Sequence, residues 1–208
     1  MKKVILWSLI SISACASQID YWRTVPCEQL KKHLEHELEK PYDTSRDFPV
    51  LTFVQCPELL QIILQKIIDK NNPIHQGVLK RALRHAIMID QIESARLLLE
   101  FGVSAVSRSG DPMNYVRSEE MVDLLVEFGG HVNRTEDYST PLYWALDGRF
   151  LSAVKGLLHH GADKSAVSRK FKTISLNQWL DQEEGKAQAF RDDEYLNFIL
   201  HVRVIASL

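Results

Sequence analysis

Catalysis needs side chains that hold a metal, move a proton or attack a bond, and this sequence offers few such groupings. His33 and His36 stand three apart, a spacing that puts two imidazoles on one helical face where they could hold a metal ion. His159 and His160 are adjacent in sequence and are expected to point in different directions. Neither pair has a cysteine or carboxylate at metal-site spacing, so surface histidines account for both, and no metal or cofactor is expected. The chain holds no G-x-S-x-G elbow, no phosphate loop, no dinucleotide glycine pattern and no H-E-x-x-H. No catalytic residue is therefore assigned, and the chain reads as a non-enzyme.

The thiols carry the clearest chemistry. Lys2 and Lys3 precede a short apolar run from Val4 through Ile12, with the length of a signal-peptide core and too short to span a membrane as a helix. The run ends in Ile12-Ser13-Ala14-Cys15, which resembles the bacterial lipobox: an aliphatic residue, two small residues, then cysteine. That resemblance implies cleavage before Cys15 and acylation of its thiol and new N-terminus. Several acyl chains on one residue anchor stably where a single chain is marginal. Ala16, rather than Asp, follows the cysteine, which by the same resemblance implies an outer-membrane anchor facing the periplasm. Ala14-Cys15-Ala16 also fits an ordinary A-x-A cleavage site, which would release a soluble periplasmic protein. In either compartment Cys27 and Cys56 sit where disulfides form, and an even count fits one bridge. Two buried free thiols are the alternative. A bridge would stabilise by roughly 3–4 kcal/mol on the chain-entropy model.

The 208 residues include 45% hydrophobic and 25% charged side chains, enough for one globular core with a soluble surface. The formal net charge of −2 and the lack of a basic stripe give no reason to expect a nucleic-acid partner.

The elements that position these groups are read from an internal repeat. Leu98-Leu99-Glu100-Phe101-Gly102, Leu124-Leu125-Val126-Glu127-Phe128-Gly129 and Leu157-Leu158-His159-His160-Gly161 align on their glycines. In each, the aliphatics face a core and the glycine ends the helix in the left-handed region. Upstream of the third, Thr140-Pro141-Leu142-Tyr143-Trp144-Ala145 resembles the T-P-L-H-x-A opening of the ankyrin repeat, with Tyr143 in the histidine place. Thr140 is expected to cap a first helix and Pro141 to occupy its first turn, with Leu142 and Ala145 inward. In the middle unit Asp111-Pro112-Met113 takes the same place, with Asp111 as cap. Pro112 to Val122 is 10 residues, against 13 from Pro141 to Val154, so the turn between its helices is expected to be three residues shorter. In the first unit Leu83 and Ala86 hold the inward positions, and Arg81-Ala82 replaces Thr-Pro. A degenerate unit is read at Gln65 to Asn71. The glycines are spaced 27 (102 to 129) and 32 (129 to 161), near the family period of about 33.

The resemblance implies an all-α, ankyrin-repeat solenoid with helical N- and C-terminal caps. The expected organisation is a signal peptide over 1–14, a lipid-anchored tether over 15–25 and an ankyrin domain over 26–208. Within it, the N-cap covers 26–78, the repeats about 79–165 and the C-cap 166–208. Helices are expected at 26–41, from Pro57 to Asp69, from Leu176 to Glu183 and from Ala189 to Val204. Trp179, Phe190, Tyr195, Leu196, Phe198, Ile199 and Val202 are expected to cover the final repeat, since a stack must close. No segment alternates with period two over a useful length, so no sheet is expected. Asp181, Glu183, Glu184, Asp192, Asp193 and Glu194 read as a solvated end cap, with a basic partner as the alternative.

Ankyrin stacks bind proteins on a concave face made by turn tips and first helices. By resemblance the exposed positions are Ser107, Arg108, Ser109, Asn114 and Tyr115, then Glu136, Asp137, Ser139, Tyr143, Trp144 and Asp147. Trp144, Tyr115, Tyr138 and Arg108 are the expected hot spot, because Trp, Tyr and Arg dominate interface energies. Trp144 and Tyr115 could instead pack between first helices. The layout resembles small periplasmic ankyrin lipoproteins that neutralise antibacterial effectors. It implies an immunity protein that binds and inhibits a secreted effector toxin, for example a phospholipase. The alternative is a periplasmic scaffold or protective partner of an envelope enzyme.

Overall fold

The computed structural model describes residues 27–28, 31, 54–66, 73–107, 110–134, 139–169 and 172–207. The expected signal peptide, tether, Cys15, most of the helix over 26–41 and the end of the unit at Gln65 to Asn71 lie outside these residues. The chain is mostly helical: the described residues form eight α-helices, one short 3₁₀ helix and two short strands. It divides into two units, residues 1–86 with 93–103, and residues 87–92 with 104–208.

In the first unit Cys27, Glu28 and Lys31 are helical, and Cys27 is bonded to Cys56 with sulfurs 2.01 Å apart. The expected bridge is present. Cys56 opens α1 (Pro57–Lys66), whose first N–H groups, from Leu59 and Leu60, donate to the Cys56 carbonyl. Its buried residues, Leu59, Leu60, Ile63 and Leu64, recur at helical spacing along one face. A helix pair follows, α2 (Pro73–Met88) and α3 (Ile92–Glu100). Leu83 and Ala86 are buried as expected. Arg81-Ala82, however, lie in mid-helix and not at its start, because Pro73 opens α2 eight residues before Arg81.

The second unit repeats the pairing. Its first pair is the 3₁₀ turn η1 (Pro112–Tyr115) and α4 (Glu119–Glu127); its second is α5 (Pro141–Asp147) and α6 (Leu151–His159). First helix packs on first helix, η1 on α5, and second on second, α4 on α6. The first helices start as the sequence dictates. Asp111 accepts the Met113 N–H at 3.1 Å, and the Thr140 hydroxyl accepts the Tyr143 N–H at 3.3 Å, each ahead of a proline.

The shortening of the middle pair is not in its turn. Residues 116–118 and 148–150 are both three-residue links, and the missing residues come out of the helix, four in η1 against seven in α5. A 3₁₀ helix rises about 2.0 Å per residue, so four residues span roughly 8 Å. Seven α-helical residues span about 10.5 Å. The tighter winding recovers about 2 Å of the roughly 4.5 Å that three fewer α-helical residues would lose.

The second helices end alike. Gly102, Gly129 and Gly161 have φ of 105°, 83° and 80°. In each case the glycine N–H donates to the carbonyl three residues back, and the next N–H donates to the carbonyl five back: Val103 to Leu98, Gly130 to Leu125, Ala162 to Leu157. These paired bonds satisfy carbonyls that a helix end leaves open. The links after α2 and α5 use the left-handed region too, at Asp90 (φ 58°) and Arg149 (φ 57°).

The expectation of no sheet is corrected. Val167–Arg169 (β1) and Lys172–Ile174 (β2) form an antiparallel hairpin pairing Val167 with Ile174 and Ser168 with Thr173. Three-residue strands are too short for an alternation to register. They are held by each other and by Thr140, whose N–H donates to the Ser168 carbonyl at 3.0 Å.

The C-terminal pair also departs from expectation. Helix α7 runs unbroken from Leu176 to Phe190, through the exposed Gly185, and ends at Arg191 (φ 55°) before α8 (Asp193–Ser207). A full capping box at Ser175 and Gln178 opens α7, and ion pairs from Lys186 to Glu183 and Arg203 to Glu184 hold the stretch expected to break. Trp179, Ile199 and Val202 are buried, and Tyr195, Leu196 and Phe198 are half-buried, whereas Phe190 is 83% exposed and covers nothing.

Candidate partner-binding surface

Residues predicted for binding separate by where the first helices turn them. On η1, Asn114 and Tyr115 are half-buried. On α5, the seven-residue helix sets consecutive side chains about 100° apart, so Tyr143 and Trp144 cannot share a face. Trp144 is 41% exposed. Tyr143 is only 6% exposed, which corrects its expected place on the surface; Ser139 is buried as well. The Tyr143 hydroxyl donates to Asp147 Oδ1 at 2.8 Å, one helical turn on. The two rings meet edge to face, centroids 5.6 Å apart at 74°, so Tyr143 fixes the flank of Trp144. Asp147 is exposed at the end of α5. Arg108, Ser109, Glu136, Asp137 and Tyr138 lie outside the described residues.

Beside Asp147 stands a second group. The Arg149 guanidinium lies 3.9 Å from the centroid of the Tyr195 ring and pairs with Asp192 at 3.3 Å. The Tyr195 hydroxyl donates to Glu183 Oε2 at 3.1 Å. Burial chiefly, then the Glu183 charge and hydrogen bond, hold that phenol well above its ordinary range. The Arg203 guanidinium binds Asp181 and Glu184 at 2.6 and 2.8 Å, and those bonds raise its pKa further. The expected acidic end cap is thus largely paired within the molecule; Asp193 and Glu194 complement the N-terminus of α8.

Another cluster was not foreseen. The His159 and His160 rings stack, centroids 5.3 Å apart at 26°, and do not point apart as expected. Across the α4–α6 contact, His160 Nε2 lies 2.6 Å from Asp123 Oδ1, Lys155 Nζ 2.8 Å from Glu119 Oε2, and His159 3.8 Å from Glu119. The signal was present in the numbering. Glu119 and Asp123 are one turn apart, and their partners Lys155 and His160 lie 36 and 37 residues on, the 32-residue glycine spacing plus about one helical turn.

On α5 the exposed Trp144 ring stands against the buried Tyr143, with the Asp147 carboxylate at the end of the helix. Among the described residues no group of three or more His, Cys, Asp or Glu side chains comes together as a metal site. No helix among them is long and apolar enough to cross a membrane. No protein-family model matches the chain, and no curated protein matches it.

Proposed function

We propose that this chain is a lipid-anchored protein of the bacterial envelope whose ankyrin-type stack binds another protein. Its role is that of an immunity protein: it binds and inhibits a cognate antibacterial effector, of phospholipase type, in the periplasm. The observation that carries the binding role is the threefold closure at Gly102, Gly129 and Gly161, with first helix on first and second on second in the second unit. Such packing presents first-helix side chains on a rigid frame, which lowers the entropic cost of association. Trp144 and Asp147 on α5, with Asn114 and Tyr115 on the η1 turn packed against it, are the described part of the proposed contact surface. The lipobox-like Ile12-Ser13-Ala14-Cys15, the small size and the empty motif search support the immunity role.

The test is survival. A strain lacking the protein is killed when mixed with siblings that deliver the cognate effector, and the wild-type gene restores it. Normal survival of the deletion strain overturns the immunity reading. Capture from periplasmic extract with the Cys15→Ser form identifies the partner, and recovery of a resident envelope enzyme in place of an effector moves the reading to a scaffold.

A further inference from the structure

Asp147 is the last residue of α5 and is exposed. Its Oδ1 accepts the hydroxyl of the buried Tyr143, which fixes the carboxylate. No cation pairs with it among the described residues; Arg149, two residues on, pairs with Asp192 instead. A carboxylate at the carbonyl end of a helix gains nothing from the backbone there, where a cation is favoured. Three residues earlier, on the same side of α5, stands Trp144. Its indole is 41% exposed, and the edge-to-face contact with Tyr143 holds its ring plane.

The same unit contains a filled example of this pairing. Asp192 and Tyr195 are also three residues apart, and Arg149 occupies both. Its guanidinium lies 3.9 Å from the Tyr195 ring centroid and 3.3 Å from Asp192 Oδ2. Trp144 and Asp147 carry the same two halves at the same spacing, in reverse order, with no arginine among the described residues in place. An indole attracts a cation more strongly than a phenol does.

We propose that Trp144 and Asp147 form a receptor for one arginine side chain of the partner protein. The guanidinium lies flat on the exposed indole face and donates to Asp147 Oδ2, the oxygen that Tyr143 leaves open. Arginine fits where lysine does not. A planar, weakly hydrated guanidinium stacks on a ring while its edge N–H groups reach a carboxylate, whereas an ammonium is a compact, strongly hydrated point charge. Tyr143 is the positioning residue, since it touches both halves of the receptor and stays buried. The proposal rests on the reading of this surface as the partner contact, and it specifies what the partner carries there.

The full chain is purified from the envelope in mild detergent with isotope-labelled indoles, and the Trp144 resonance is assigned by its loss in Trp144→Phe. Titration with Nα-acetyl-arginine amide at constant ionic strength shifts that resonance to saturation, with a midpoint at or below about 50 mM. The resonance of the buried Trp179 stays in place. Nα-acetyl-citrulline amide, neutral and nearly the same shape, gives no saturating shift. Asp147→Asn keeps an oxygen for the Tyr143 hydroxyl and raises the arginine midpoint at least fivefold. No saturation by the arginine amide overturns the receptor, as does an equal response to citrulline or an unmoved midpoint in Asp147→Asn. A lower midpoint for phosphocholine overturns it in favour of a lipid headgroup. The partner reading fails separately: arginine binding by a chain whose deletion strain survives normally keeps the receptor and removes the immunity role.

Discussion

The side-chain amide of Asn133 donates to the carbonyl of Gly161 at 2.9 Å, so a loop after one helix pair holds the closing turn of the next. The same amide group accepts the Asp163 N–H at 2.7 Å through its oxygen. Asn133→Ala removes both bonds from an exposed site. A loss of about 1 kcal/mol is expected, read as a lower urea midpoint with an unchanged m value. Asn133→Asp keeps the acceptor and loses the donor, and falls between the two.

The closing glycines and Gly156 respond differently to a methyl group. A Cβ on Gly129 meets nothing within 4 Å, so Gly129→Ala suffers only from its left-handed backbone, about 1–2 kcal/mol. Gly129→Asn costs less. At Gly156 alanine would favour the helix by about 1 kcal/mol. There, however, a Cβ would lie 2.9 Å from the Glu119 Cα on α4. Because main chain must move, Gly156→Ala is destabilising and Gly156→Val more so. Thermal melts of the four variants order the costs.

Trp144 and Tyr143 are neighbours with separable roles. Trp144→Ala leaves the melting temperature within a few degrees and weakens the captured partner at least 30-fold, about 2 kcal/mol. Tyr143→Phe does the reverse: it lowers stability by about 1 kcal/mol through the lost bond to Asp147 and leaves partner affinity within twofold. Calorimetric titration and urea melts of both variants check the pair. Equal affinity of Trp144→Ala and wild type removes Trp144 from the contact.

Ser94 is a polar group buried beneath the disulfide turn. Ser94→Ala strands the Val54 carbonyl away from water, at a cost of about 1–3 kcal/mol. Hydrogen exchange at the α1 amides of Leu59 and Leu60 accelerates in step with that loss.

Asp163 titrates below its ordinary carboxyl value because the Ser165 hydroxyl, then the Ser165 N–H, donate to its ionised form. A depressed folded value means that the contribution to stability is present above the unfolded pKa of about 3.9 and disappears as pH falls through the folded one. Ser165→Ala moves the Asp163 midpoint up toward 3.8, followed by carboxyl NMR shifts against pH. An unmoved midpoint would show that the backbone bond alone holds it.

Features set by a few adjacent residues were legible in the sequence. Asp111 and Thr140 cap because a short side-chain oxygen precedes proline, and Gly102, Gly129 and Gly161 close helices because of their backbone freedom. Features set across the fold were not. The histidine place in the ankyrin-like motif gave no warning that Tyr143 would turn inward, since that depends on Asp147 and on the packing of η1 against α5. The spacing between Pro112 and Val122 showed that three residues were missing, but helix and turn share that deficit until packing assigns it. A helix ending at Glu183 was expected, yet the ion pairs that carry α7 on through Gly185 come partly from Arg203 on another helix. Phe190 looked like core by type alone, and its burial depended on a neighbour the helix end does not supply.

One hydroxyl serves two elements. Thr140 Oγ1 accepts from Tyr143 to begin α5 and from the Ser168 N–H, at 3.3 Å, to seat the hairpin. Mutational drift at this position is therefore judged twice. Serine passes both demands, whereas valine, nearly identical in shape, fails both at once, and no single compensating change elsewhere can restore the pair.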